Sequence, residues 1–563
     1  MASSIPRPRT IMKSSIIAIN PSFPFLHFLP PSPLTALLFS PRKNPKSLHL
    51  CTNFSTTLLL FSLSLLFSIT FLLGIFLLGF LRSYQNSPLP CSVSSSPEFF
   101  AASLSSMSSS SLLDKEEGVP RLSYSAMVPL PAHGLSGNLS EPEREFWQQP
   151  DGEGYRPCLD FSIGYRKASA EISKEKKRYL MVVASGGLNQ QRNQIVDAVV
   201  IARILEASLV LPILQVNLIW GDESEFSDIF DVEHFKKTLQ ADVRVVSTIP
   251  SSHLMLRQPI HSKIPRDITP NWIHSRFFNQ LNKDGLLILK GLDSKLTKNL
   301  PPDLQKLKCK VAFHALRFAA PIRELGEQLA KRMWIEGPYI ALHLRLEKDV
   351  WVRTGCQTGL GPEFDRVIAK VRESEPEFLT GSLNMSHTQR KLAGLCPLNA
   401  LEMARFLKAL GAPKSTRIYN AGGEPFGGSR AMQPLISEYP NLVTKEMLAR
   451  QGELARFANK SSALAAIDYI VCLSSDVFVP SHGGNMGRAL QGHRAYVGHR
   501  KFIKPNKRAM LPFFEDTTIS EAELSSVVKE LHAKSLGQPE LRNYRRERDV
   551  IAYPVPECLC QKP

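Results

Sequence analysis

Three short stretches of the sequence put glycines and polar side chains where a ligand can reach them. The first, Ser185-Gly186-Gly187-Leu188-Asn189-Gln190, follows the apolar run YLMVVA (179–184) and precedes a helical pattern. Two glycines let a ligand approach the backbone, a helix N-terminus presents free N–H groups with a partial positive charge, and Asn189 adds an amide. This suits a phosphate or a sugar hydroxyl, and a tight βα turn with an N-cap is the equally simple structural reading. The loop follows neither the Walker pattern nor G-x-G-x-x-G. The second stretch, His343-Leu344-Arg345, ends the apolar run YIALHL (339–344) and leads into Glu347, Lys348 and Asp349. Alternation points His343 and Arg345 to one side of that strand. The planar fork of Arg345 suits a pyrophosphate and can neutralise charge on a departing nucleotide. The structural alternative is a surface arginine paired with Glu347 or Asp349. The third stretch, DVFVPSHGGNMGRALQGHRAYVGHRKFI (476–503), reads as a strand, a Gly-Gly turn and a helix from about Asn485. Ser481, His482 and the amides that follow form a second anion site at a helix start.

His482, His493 and His499 have no carboxylate or cysteine interleaved at ligand spacing, so they read as ordinary site or surface histidines rather than a metal cluster. The chain also contains no Asp-x-Asp. A carboxylate pair holding a diphosphate through a divalent ion is therefore not expected, no metal is assigned, and the diphosphate falls to cationic side chains and helix ends.

Positioning these loops requires alternating strands and helices. Beyond the first loop, Ile195, Val199, Val200, Ile204 and Leu205 recur at helical spacing, and SLVLPIL (208–214) reads as another buried strand, completing a βαβ unit. The alternation resumes after residue 320. Pro321 opens a helix with Ile322, Leu325 and Leu329 on one face. The run 339–344 is a strand, 398–410 is a helix stopped by Gly411 and Pro413, and RIYNA (417–421) is a strand followed by GGEPFGG. The expected architecture is α/β, with two Rossmann-like lobes, 151–330 and 331–510, and a cleft between them. The segment 511–563 is read as a C-terminal helix and tail, the helix announced by the capping box Ser520-x-x-Glu523.

The chain has 563 residues, enough for two or three domains plus tails, and 43% hydrophobic residues to fill their cores. Of its formal charge of +17, seven positive charges lie in residues 1–82, which contain no acid, leaving +10 over the rest. No Lys/Arg-rich run with interleaved aromatics occurs, which argues against nucleic acid as a partner. Residues 54–81 carry no charge and exceed the ~20 residues needed to cross a bilayer. Six cations precede that span and almost none follow Arg82 in the Ser/Pro-rich stretch. The positive-inside rule then puts 1–53 in the cytosol, makes 54–81 a transmembrane helix and leaves 82–150 as a flexible stem.

Of nine cysteines, Cys158, Cys309, Cys356, Cys396, Cys472, Cys558 and Cys560 lie beyond the stem, where an oxidising lumen should pair some of them. The odd number leaves at least one unpaired within that set, and Cys558-Leu559-Cys560 reads as disulfide chemistry pinning the C-terminus. Asn138, Asn384 and Asn459 stand in Asn-x-Ser/Thr sequons and are the candidate glycosylation sites.

The ordered set VASGGLNQQRNQIVDAVVIARILEASLVLP, SDIFDVEHF, YIALHLRLEKDVWVRTGC and DYIVCLSSDVFVPSHGGNMGRALQGHRAYVGHRKFI resembles the plant O-fucosyltransferase family, related to the protein O-fucosyltransferases, over roughly residues 176–510. The resemblance implies a GT-B fold, an inverting mechanism without metal, and a nucleoside-diphosphate sugar donor, usually GDP-fucose. It assigns Gly186, Gly187, Leu188 and Asn189 to the donor and acceptor cleft. It assigns His343 and Arg345 to the donor, with Ser481 near its diphosphate, and Leu344, Asp476 and His482 are counted with them as donor-binding candidates. Arg345 and Asn189 become the catalytic candidates, with Arg192 beside Asn189 holding the reacting sugar. One branch of the relatives uses a Glu in the first glycine loop as base. Gly186 stands at the matching position here, so no base carries over. Glu424 stands where the family commonly has Glu. Pectin rhamnosyltransferases using UDP-rhamnose share these motifs and remain an alternative, as does a catalytically silent scaffold in wall-polysaccharide synthesis. A lectin-like binding module is disfavoured by the paired lobes. The expected setting is a single-pass type II protein of the Golgi membrane, its catalytic region lumenal and its acceptor a glycan or glycoprotein.

Overall fold

The computed structural model describes residues 127–135, 139–172, 177–217, 221–251, 259–376, 379 and 384–561. The expected tail 1–53, the span 54–81, most of the stem, Cys51, Cys91 and Asn138 lie outside them. Among the described residues no helix is long and apolar enough to cross a membrane.

The apolar runs become parallel strands. After β1 (Tyr155–Pro157), the first sheet is built from β2 (Tyr179–Ala184), β3 (Ser208–Val210), β4 (Ile213–Leu214), β5 (Val245–Val246), β6 (Ile260–His261) and β7 (Leu286–Lys290). Its order is β5-β3-β2-β7-β6 with β4 also on β2, and every pairing is parallel. The run 208–214, expected as one strand, is split between β3 and β4 at Leu211-Pro212, because Pro212 has no N–H to give a ladder. The second sheet contains β8 (Tyr339–His343), β9 (Arg417–Ala421), β10 (Leu442–Thr444) and β11 (Val477–Pro480), ordered β10-β9-β8-β11 and again parallel. The final strand, β12 (Leu559–Gln561), pairs antiparallel with β1.

Seven helices frame the site and the core: α1 (Glu141–Trp147), α2 (Leu188–Leu205), α3 (Ala320–Trp334), α4 (Ala400–Ala409), α5 (Ser461–Ser474), α6 (Asn485–Tyr496) and α7 (Glu521–His532). The chain crosses from the first sheet to the second through α3, which packs on α5 with Gly326 against Ile470. One apolar core runs from Leu180 and Val182 of β2 through Phe318 and Leu329 to Tyr339 and Ala341 of β8. Alternation turns the neighbouring Ile340 and Leu342 to the other face, into a second core with Leu407, Ile418 and Val479.

Two expected boundaries move. The stem does not extend flexibly to residue 150. Phe146 and Trp147 of α1 are buried in the second core, and Trp334 Nε1 donates to the Pro131 carbonyl at 2.8 Å. Ordered chain therefore begins upstream of Tyr155, because a few large aromatic side chains bury enough apolar surface to dock a segment that is otherwise polar. The segment after α7 is not a tail either. It returns to the first sheet's side of the molecule, where β12 joins β1, Lys308 Nζ meets Asp549 at 2.9 Å, and disulfides join Cys158 to Cys560 and Cys309 to Cys558. The Cys558/Cys560 pair thus pins the C-terminal segment as expected. Cys356 pairs with Cys396, and Cys472 is buried and free.

Candidate functional site

All four strands of the second sheet run parallel, so their C-terminal ends open together on one edge. A cleft of about 1060 Å³ lies there, and the turn Gly187–Gln190 from the first sheet's side closes it. Residues from the ends of β8 (His343, Arg345, Glu347), β9 (Asn420, Gly422, Glu424) and β10 (Lys445, Glu446) line it. So do the N-terminal turns of α2 and α6, which aim free N–H groups at the space, and that of α5, whose Ser462 N–H is taken by the Asp222 carboxylate at 2.6 Å.

Arg345 projects from the strand end into this cleft. Its backbone N–H donates to Ser481 Oγ at 3.0 Å, and its Nε donates to Glu347 Oε2 at 3.3 Å. Nη1 and Nη2 make no hydrogen bond among the described residues. Both readings of this arginine therefore hold at once: Glu347 fixes one edge of the guanidinium and leaves the outer fork facing the cleft. Glu347 Oε1 also accepts from Gly423 N at 3.3 Å, tying the β8 and β9 loops together.

His343 is 6% exposed, lines the same cleft, and its Nδ1 has no partner among the described residues. Burial, with the Arg345 charge and the neighbouring His482 ring, holds its pKa down at about 3. Burial together with Lys507 and Arg345 holds His482 at about 3 as well. Both rings are therefore neutral at physiological pH and can accept or donate a hydrogen bond without adding charge. Asn189 reaches the cleft from α2, its Oδ1 accepting from Arg192 Nη1 at 3.2 Å and its amide nitrogen left for a ligand. Gly187 and Leu188 line the cleft beside it.

Some expected contacts are not with the cleft. Gly186, at φ +87°, shapes the turn without lining it. Leu344 alternates away from its neighbours into the second core at 2% exposure. Asp476 sits at the opposite, N-terminal end of β11, where its carboxylate accepts from Tyr339 N at 3.0 Å and His133 N at 2.8 Å. Asp476 is thus a strand-start cap that also docks the 127–135 segment. Arg192 points inward, stacked 4.5 Å over the Tyr469 ring and donating to the Ala312 carbonyl at 3.1 Å. It holds Asn189 and the interior rather than a sugar. Ser481 acts through Arg345, joining β11 to β8, and lines only the narrow space behind the Gly483-Gly484 turn.

The structure adds Asp468 and Lys445, which sequence reasoning passed over. Asp468 accepts from Tyr419 Oη at 2.7 Å, Lys445 Nζ at 3.2 Å and Gly422 N at 3.3 Å. It therefore fixes the β9 loop, where a Cβ on Gly422 would stand 2.7 Å from the Leu344 carbonyl at φ +138°. The signal was present: a lone carboxylate inside the apolar helix SSALAAIDYIVCLS is rarely buried without a purpose. Among the described residues no group of three His, Cys, Asp or Glu is placed to hold a metal. The sequons at Asn384 and Asn459 are exposed.

Residues 179–497 match the family model described as GDP-fucose protein O-fucosyltransferase. O-fucosyltransferase 37 of Arabidopsis thaliana is 62% identical, over 98% of this chain and 97% of its own length. Rhamnogalacturonan I rhamnosyltransferase 1 of the same plant is 38% identical, over 68% of this chain and 77% of its own length. Among solved structures, POFUT1 in complex with GDP aligns at a TM-score of 0.38 and 12% identity, over 59% of this chain and all of that one.

Proposed function

The chain belongs to the GDP-fucose protein O-fucosyltransferase family and is a glycosyltransferase, and from that premise we propose that it moves a 6-deoxyhexose, fucose, from GDP-fucose to a hydroxyl of a glycan or glycoprotein. The observation that carries this reading is the outer fork of Arg345 facing a cleft lined by the free N-termini of α2 and α6 and by the unpartnered His343 Nδ1. A diphosphate spanning that edge meets donors already in place, and stabilisation of charge as it builds on the leaving group lowers the barrier. The donor is bound GT-B fashion between the two sheets. The sugar is transferred with inversion, cleavage running ahead of attack so that little base assistance is needed. No metal takes part, the cationic side chains and helix ends doing that work.

Three disulfides among the described residues support an oxidising compartment for residues 127–561. With the cation-flanked span 54–81, that favours a type II protein of the Golgi membrane with this region lumenal.

UDP-rhamnose as donor is the second reading, favoured by the 38% identity to a rhamnosyltransferase. Full-length protein tested by thermal shift and by donor hydrolysis against GDP-fucose, UDP-rhamnose, GDP and UDP, with and without a chelator, decides. GDP-fucose should stabilise and be hydrolysed in both conditions. Response to UDP-rhamnose alone moves the assignment to rhamnose, and response to no nucleotide sugar, or only with added divalent ion, overturns it.

A further inference from the structure

Arg192 of α2 is 5% exposed, does not line the cleft, and has no carboxylate partner among the described residues. Holding a charge inside a fold without a counter-ion is costly, and its Nε is also buried with no partner. What it does have is a neighbour on each of three elements. Nη1 donates to Asn189 Oδ1 at 3.2 Å, one turn back on its own helix. Nη2 donates to the Ala312 carbonyl at 3.1 Å, and its Cζ lies 4.5 Å from the centre of the Tyr469 ring on α5.

Ala312 belongs to a π-helical turn, Val311–Ala315, which continues the helix Pro302–Lys310 and in which Leu316 N donates to the Val311 carbonyl at 3.0 Å. Such turns are uncommon and recur at functional sites. This one is tied to α6, since His314 Nε2 stands 2.8 Å from Tyr496 Oη, and α6 also holds Tyr469, whose Oη stands 3.0 Å from His493 Nδ1. The guanidinium therefore sits in a frame made of the π turn, α5 and α6, and α6 opens at the cleft. A guanidinium carries donors only, so the oxygen of Asn189 must face it and the amide nitrogen is turned to the cleft that Asn189 lines. Asn189 stands on the first sheet's side of that cleft and Arg345 on the second sheet's side. The one arginine thus fixes both the direction of the Asn189 N–H and its place relative to the other half of the site.

We propose that Arg192 is a positioning residue for sugar transfer, which holds the Asn189 amide so that its N–H meets the reacting sugar region in register with Arg345. This rests on the glycosyltransfer reading of the cleft. Misplacing a group at the reacting centre by about 1 Å costs about a hundredfold in rate, so the effect belongs to turnover rather than to capture of the donor's diphosphate.

Full-length wild type, Arg192→Lys, Asn189→Ala and the double variant are compared for kcat and KM of GDP-fucose hydrolysis, with urea titration of each. Lysine keeps the charge but cannot hold Asn189, Ala312 and the Tyr469 face together. Arg192→Lys should lower kcat about tenfold or more while KM stays within about twofold of wild type, and Asn189→Ala should do the same. In the Asn189→Ala background, Arg192→Lys should lower kcat no further. An arginine that only braces the interior would lower the urea midpoint and leave kcat alone, or lower kcat by the same factor in both backgrounds; either result overturns the proposal. Asn189→Asp leaves the arginine in place, keeps an oxygen for it and offers the cleft no N–H. It should lose turnover as Asn189→Ala does, and turnover near wild type overturns the proposal whether or not Arg192→Lys folds. A wild type that hydrolyses no nucleotide sugar overturns the glycosyltransfer reading and this proposal with it, whereas an active wild type with independent losses at the two positions overturns this proposal alone.

Discussion

The guanidinium of Arg345 is held by one edge and free at the other, and this geometry decides how substitutions there behave. Arg345→Lys keeps a positive charge but loses both the fork and the Nε contact with Glu347. Turnover should fall about a hundredfold, on the order of 3 kcal/mol of lost charge stabilisation, and Arg345→Ala should fall further. The melting temperature of either variant should stay near wild type, since the side chain faces the cleft; unfolding, or turnover near the wild-type rate, returns Arg345 to a structural role. His343 carries the second residue-scale prediction. Its folded-state pKa, about 3, lies below the ordinary 6.5, so the unfolded chain binds more protons between those values. The stability it confers is complete above pH 6.5 and is lost as pH falls toward 3, and His482 adds to the loss with the same sign. Urea midpoints measured from pH 4 to 8 should fall on the acid side, and His343→Gln should flatten that slope. Sequence pattern placed His343, Arg345, Asn189 and His482 at the cleft because strand ends and helix starts are legible in it. It could not separate Leu344, Arg192 and Asp476 from them, because a side chain's direction past the end of a strand, or the end of the strand at which it stands, is settled by packing between elements distant in sequence.

Elements approach one another closely where side chains are absent. On α6, the helix that opens at the cleft with Asn485 and closes at Tyr496, a Cβ added to Gly492 would overlap the Ile551 carbonyl of the returning C-terminal segment. Alanine is the better helix former by about 1 kcal/mol, so propensity alone favours Gly492→Ala. Overpacking against backbone costs about 1–3 kcal/mol and outweighs it, because a carbonyl in a disulfide-anchored segment has less room to yield than a side chain. Denaturant titration should therefore show Gly492→Ala less stable than wild type, and a gain would mean that the segment is loosely held. RIYNA was legible as β9 to the residue, and the helix starting near Asn485 was equally plain, since Gly-Gly and an apolar run bracket each. The docking of residues 127–135 and 139–150 was not legible, because it depends on Trp334, Asp476 and the second core, all hundreds of residues away.

At the scale of the whole molecule, two of the three disulfides among the described residues bind the C-terminal segment to the first sheet's side. Cys309–Cys558 spans 249 residues and Cys356–Cys396 spans 40. Cross-links closing longer loops restrict the unfolded chain more, so Cys309→Ser/Cys558→Ser should cost about 2–5 kcal/mol and more than Cys356→Ser/Cys396→Ser. Melting temperatures of the two double variants under non-reducing conditions give the order, and the reverse order would show that local packing rather than loop closure dominates. The pairing was beyond the sequence, which showed seven cysteines beyond the stem and no connectivity. The return of β12 to β1 also sets a timetable. Tyr155 emerges from the ribosome early, but Gln561, its partner across the antiparallel ladder, comes roughly 20–80 s later at ordinary elongation rates. During that interval Cys158 and Cys309 wait without their final partners while the second sheet, its own disulfide and the cleft edge assemble. The half of the molecule translated first is thus the half completed last.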